Sequence, residues 1–158
     1  AYKFTEKEPV QGTFNEVNIT GFQTLNSLDN LISGLSFEIP VNSINSNNPE
    51  RDGKIQETFF GSLTETSIIK GYVVSANNNE LTLSLSLNGL TKEVKGTSTY
   101  ENGLYTFKAN LDLKVFNASA AVDALNKLCY DLHIGADGVS KLWDEVEIRF
   151  QCRVNEDC

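Results

Sequence analysis

Leu81-Thr82-Leu83-Ser84-Leu85-Ser86-Leu87, followed by Asn88-Gly89, decides the fold class of this chain. Four leucines alternate with three small hydroxyl residues, a period of two. That is a strand with one dry face and one wet face. Asn-Gly directly after such a strand is the signal of a two-residue type I′ hairpin. Reading outward, Tyr72–Ser75 precedes the stretch across the polar turn Asn77-Asn78-Asn79-Glu80. A second hairpin signal, Asn102-Gly103, leads into Tyr105, Phe107, Ala109, Leu111, Leu113 and Val115, which again alternate with polar residues. The run from Gly71 to Val115 therefore reads as an up-and-down meander of antiparallel strands.

The same period appears at both ends of the chain. Leu35, Phe37, Ile39 and Val41 alternate with Ser36, Glu38, Pro40 and Asn42, and Val146, Ile148, Phe150 and Cys152 alternate with Glu147, Arg149, Gln151 and Arg153. Helical spacing occurs in two places. One is Leu25, Leu28, Leu31 and Ile32. The other is Val122, Leu125, Leu128, Cys129 and Leu132, with Asn117 or Ser119 as cap and Gly135 as stop. Asn48-Pro49-Glu50-Arg51-Asp52-Gly53 reads as a turn into a short helix. Six to eight antiparallel strands in one small chain must protect their edges, and closure into a barrel does so. The expectation is an all-β, extended eight-stranded antiparallel barrel of lipocalin-like type, one domain over residues 1–158, with a helix covering one end. An eight-stranded barrel either packs its interior or holds one small ligand, and alternation does not say which.

Charge narrows the function. The net charge is −8, from 13 basic and 21 acidic residues. Phosphate binding needs a positive surface, so nucleic acid is excluded as main partner. No apolar run reaches the roughly 20 residues needed to span a bilayer as a helix, so the chain reads as not integral to a membrane. Ala1 is the residue that cleavage at a small-residue signal site leaves, and a chosen chain boundary would look the same. The expectation drawn is an exported protein.

Several segments, in order, resemble the YceI-like family. They are Val10-Gln11-Gly12-Thr13-Phe14, then Val41-Asn42-Ser43-Ile44-Asn45 through Arg51-Asp52, then Phe59-Phe60, seven residues after Asp52. Leu87-Asn88-Gly89-Leu90-Thr91-Lys92 and Asp144-Glu145-Val146-Glu147-Ile148 complete the set. The sequence departs from the common pattern at Ala118–His133, where a helix stands in place of a short Phe-Gly loop. The resemblance implies a periplasmic carrier with a long apolar channel for a polyisoprenoid or another long amphiphile. The inward residues expected to line it are Phe14, Leu35, Phe37, Ile39, Leu83, Leu85, Phe107, Leu111, Leu113, Ile148 and Phe150, with Tyr130 and Trp143 closing the helical end. No cofactor is expected beyond a bound lipid, and the partner is a hydrophobic small molecule. The oligomeric state stays open, a homodimer included. The alternative is a ligand-free packed barrel acting as an interaction or stress-related module.

No enzyme constellation is present. There is one His, and G-x-S-x-G, a P-loop and a paired C-x-x-C are all missing, so the expectation is no enzyme. Cys129 and His133, four apart on a helix, would share a face and could hold a soft metal or haem. A buried thiol and a histidine beside a helix C-terminus explain the same residues. Arg51, one of three arginines, is either a fork for a ligand head group or the pin of its own turn. Of the three cysteines, Cys152 lies nine strand steps from Trp143, roughly 30 Å, whereas a disulfide needs Cα atoms within about 7 Å. Cys129 is then a poor partner for Cys152, and a returning tail would pair Cys152 with Cys158.

Overall fold

The computed structural model of the chain describes residues 1–21, 31–77 and 79–153. Short strands come first: β1 (Tyr2–Lys3), β2 (Glu8–Pro9), β3 (Thr13–Phe14) and β4 (Asn18–Thr20). After β5 (Ser36–Pro40) and β6 (Ile44–Asn45) comes a helical stretch headed by α1 (Pro49–Lys54). Four long strands follow, β7 (Ile68–Asn77), β8 (Glu80–Leu87), β9 (Leu90–Glu101) and β10 (Leu104–Asp112). Helix α2 (Ser119–Leu128) precedes the last strand, β11 (Glu145–Arg153). The helix expected around Leu25 and Leu28 lies outside the described residues, although Leu31 and Ile32 are helical.

One antiparallel sheet carries the fold, in the order β11-β10-β9-β8-β7-β5-β4, and it curls into a half-barrel. The architecture is the antiparallel barrel type that the alternation implies. Among the described residues the sheet holds seven strands and keeps two edges, β4 and β11, while β1–β2 and β3–β6 form separate two-stranded ribbons. The hairpins sit where the sequence puts them. Asn88 and Gly89 have φ of 53° and 69°, and Asn102 and Gly103 have φ of 52° and 75°. Type I′ turns need positive φ at both central residues, which Asn and Gly tolerate best. Between Val73 and Ser75 the β7–β8 register shifts by a bulge, which adds local bend.

Two expectations are corrected in the region after β10. The strand does not run on to Val115. The Asp112 carboxylate accepts the Lys114 N–H at 3.0 Å, and Leu113–Phe116 winds into a 3-10 turn, because a short polar side chain offers the backbone a partner outside the ladder. Nor does a single helix reach His133. α2 stops at Leu128 with Cys129 as its cap, and Tyr130–His133 forms a 3-10 turn. Leu128 and Leu132, read as part of the apolar stripe, are therefore 52% and 63% exposed. Gly135 stops no helix: it bonds across a tight turn to Val139 and Gly138.

The two ends of the half-barrel differ. At one end α2 packs on the helical turn that follows α1, over Phe59, Leu63, Phe116, Ala118 and Val122, all buried. Asn88 ties this end together. Its Oδ1 accepts the Thr64 N–H at 2.9 Å, and its Nδ2 donates to the carbonyls of Phe116 and Asn117 at 2.8 and 3.2 Å. The Asn102-Gly103 hairpin marks the opposite end, where Tyr100 is 41% exposed. The N-terminal residues are strapped to the approach of β11. Trp143 N–H donates to the Tyr2 carbonyl at 3.0 Å, and Phe4 N–H donates to the Lys141 carbonyl at 2.9 Å.

Candidate functional site

The concave face of the sheet is the candidate site, and the pleat decides what it presents. Residues directly paired across antiparallel strands point to the same side. Pairing Leu111 with Val146, Ala109 with Ile148 and Phe107 with Phe150 therefore lines up one inward face over β10 and β11. Leu83 pairs with Val94 on one side and Val73 on the other, continuing that face. The middle of the face is tightly covered: Leu81, Leu83, Leu85, Phe107, Ala109 and Leu111 are each 3–7% exposed. Toward the two edges the covering thins. Leu35 and Phe37, on the β5 side, and Val146, Ile148 and Phe150 on β11 are half-buried and pack against the same core. They form an apolar track along both margins of the curl.

Two glycines let the sheet close on itself. The Phe37 ring lies over Gly71, and the Phe107 ring lies over Gly96; a Cβ at either glycine would come within 2.5 Å of the ring. A side chain at those positions would push the aromatic rings out of the interior. Sequence reading passed over both, although a lone Gly inside an alternating strand signals close approach of a neighbour.

Each expected lining residue has a definite place. Leu83, Leu85, Phe107, Leu111 and Leu113 are buried on the inner face, Leu113 from the 3-10 turn. Leu35, Phe37, Ile39, Ile148 and Phe150 are half-buried, and Ile39 pairs with Ile69. Phe14 sits on the β3–β6 ribbon, its ring edge-on to Phe60 at 6.4 Å. Tyr130 is 53% exposed. Trp143 is half-buried just before β11, with Nε1 donating to the Phe4 carbonyl at 2.7 Å and the ammonium groups of Lys7 and Lys141 4.3 and 5.0 Å from its ring.

Arg51 is turned onto its own loop. Its Nε donates to Ser46 Oγ at 2.8 Å and its Nη2 to the Ser46 carbonyl at 2.7 Å, while the Asp52 carboxylate accepts from the Ser46 N–H and hydroxyl. It stands on α1, at the covered end rather than at the open one. Cys129 and His133 are not stacked on one helical face, since α2 ends between them. His133 Nδ1 is 2.8 Å from Asn126 Oδ1, and burial, with Lys3 nearby, holds its imidazole below the usual histidine pKa. Among the described residues no group of three His, Cys, Asp or Glu could hold a metal ion. Cys152 is half-buried, makes no disulfide with the other described cysteine, Cys129, and is pushed up in pKa by burial. Its expected partner, Cys158, lies outside the described residues.

Sequence reading also missed a polar corner on the inner face. Ser98 pairs with Phe107, and Tyr105 pairs with both Tyr100 and Cys152, so all four polar-tipped residues share the inward side at the hairpin end. The missed signal was phase: Val94, Gly96, Ser98 and Tyr100 alternate as strictly as the leucines but are not all apolar. Surface depressions of about 280 and 380 Å³ lie elsewhere, lined mainly by outward-facing residues such as Thr99, Thr106 and Arg153, or Glu38, Lys70 and Tyr72. Neither opens on the concave face.

The YceI-like domain model matches residues 1–154. A YceI protein of Campylobacter jejuni superposes with a TM-score of 0.64 at 14% identity, covering 95% of this chain and 86% of that one. A mutant of that protein with a monobromobimane guest gives 0.65 at the same identity and coverage. BcnA of Burkholderia cenocepacia gives 0.55 at 17% identity, over 91% of this chain and 87% of that one. Comparison with curated protein sequences gives no match.

Proposed function

This chain belongs to the YceI-like family, and from that premise we propose that it is a non-catalytic carrier of a long apolar amphiphile in the periplasm. The ligand class is an isoprenoid quinone, a polyprenyl chain or a fatty-chain lipid, held without any other cofactor. One observation carries the reading: a continuous inward apolar face, half-buried along β5 and β11 and covered at one end by α2 and the helical turn that follows α1. A hydrocarbon chain gains about 25 cal/mol for each Å² of apolar surface removed from water, and needs a polar partner only at its head.

The test is native mass spectrometry of the purified protein followed by solvent extraction. A carrier retains a hydrophobic small molecule near one-to-one, and protein that never holds one is not a carrier. The second reading, a packed barrel that serves as an interaction or stress-related module, is favoured by the tight burial of Leu81, Phe107 and Ala109. The same measurement decides between them. Cys129 and His133 lend no geometry to a metal or haem role.

A further inference from the structure

We infer that the interior has a fixed polarity: the corner formed by Ser98, Tyr100, Tyr105 and Cys152 receives an uncharged, hydrogen-bonding head group, and the hydrocarbon runs from there toward α2. This rests on the carrier reading and deepens it by naming the head-group class and its end. The four residues are neighbours by register, Tyr105 opposite both Tyr100 and Cys152, and Ser98 opposite Phe107. From Tyr105 to Leu111 the inner face of β10 runs six steps, roughly 20 Å, and beyond the corner it offers Phe107, Ala109 and Leu111. At the far end the apolar lining continues into Phe116, Ala118 and Val122 under α2, without a charged side chain among them. Water reaches the corner at Tyr100, 41% exposed, while Ser98 and Tyr105 beside it are buried. A head group placed there keeps partial hydration, whereas at the covered end it would be stripped of water without partners.

The charge of the head group follows from what is absent at the corner. The neighbouring basic residues, Lys108, Arg149 and Arg153, occupy the alternate, exposed positions of β10 and β11. Among the described residues, a phosphate or carboxylate inside would therefore meet hydroxyls but no cation. Burial disfavours negative charge at this corner, as it does at Cys152, whose thiol it pushes up in pKa. Hydroxyls of Ser98 and Tyr100 can donate to a carbonyl or exchange bonds with an alcohol.

The experiment uses octadecanol carrying a photoreactive diazirine either beside the hydroxyl or at the chain terminus. After irradiation of the one-to-one complex, cross-linked peptides are mapped. The head-labelled probe should join residues 98–107 or 150–153, and the tail-labelled probe residues 85–87 or 113–122. Octadecyl phosphate should bind at least about tenfold more weakly than octadecanol. A reversed map, or octadecyl phosphate binding as tightly, overturns this inference while leaving the carrier intact. Retention of no probe at all overturns the carrier reading and this inference together.

Discussion

The Phe107 ring packs against the bare backbone of Gly96, where a Cβ would stand 2.5 Å from its Cε2. The same substituent would strike the Lys108 carbonyl and the Ala109 methyl. Two of these contacts are with groups on β10 that cannot rotate away, so Gly96→Val should cost about 1–3 kcal/mol. Gly71→Val, which meets Phe37 and the Ser84 carbonyl, should cost a similar amount. Urea unfolding of both variants checks this, and wild-type midpoints would mean that the rings are free to move.

A carboxylate in the middle of the inner face should be tolerated worst. Phe107→Glu or Leu111→Glu, at positions 3% and 7% exposed, puts an unpaired charge among hydrocarbon. The expected loss is at least about 3 kcal/mol, together with loss of any retained lipid. Denaturation and extraction read the two effects separately. A variant that folds and keeps full lipid occupancy would show that this face does not line the site.

Asn88 should matter more than an ordinary turn residue. Asn88→Asp keeps the shape and the acceptor for Thr64, but it replaces the amide donor facing two carbonyls with a carboxylate oxygen. We expect destabilisation of about 1–3 kcal/mol. The control is Asn102→Asp, at the other type I′ turn, where the side chain is exposed. It should stay within about 0.5 kcal/mol of wild type.

Stability should sag on the acid side of neutrality through His133. Its folded pKa lies below the ordinary value of 6.5, first from burial and then from Lys3. The unfolded chain therefore takes up the proton more readily, and stability falls as the pH drops through about 6.5 and then levels below the folded pKa. The lowered carboxyl of Asp137, by contrast, acts only at and below its ordinary value of 3.8. In His133→Gln the first sag should vanish while the second remains. An unchanged profile between pH 7 and 5 would assign it to another group.

The strands and both hairpins were legible because period-two alternation and Asn-Gly act locally, over two to eight residues. Termination of β10 was not, since it depends on Asp112 choosing the Lys114 N–H over the ladder. The split of the helix after Leu128 was equally hidden: Leu128 and Leu132 carry the helical spacing yet face solvent. The apolar half of the candidate site followed from counting leucines. Its polar corner and its two glycines did not, because each takes its meaning from a residue on a neighbouring strand: Ser98 from Phe107, Tyr100 from Tyr105, Gly96 from Phe107.

Trp143 is the only tryptophan in the chain, and its indole is fixed by Phe4, Lys7 and Lys141. Its emission is therefore a reporter of one event, the seating of the first residues against the approach to β11. Release of that strap, with the sheet otherwise intact, would wet the ring and shift its fluorescence to the red before any change in the far-ultraviolet signal of the strands. The fold thus carries an intrinsic optical gauge of its N-terminal closure, separable in time and in denaturant from global unfolding.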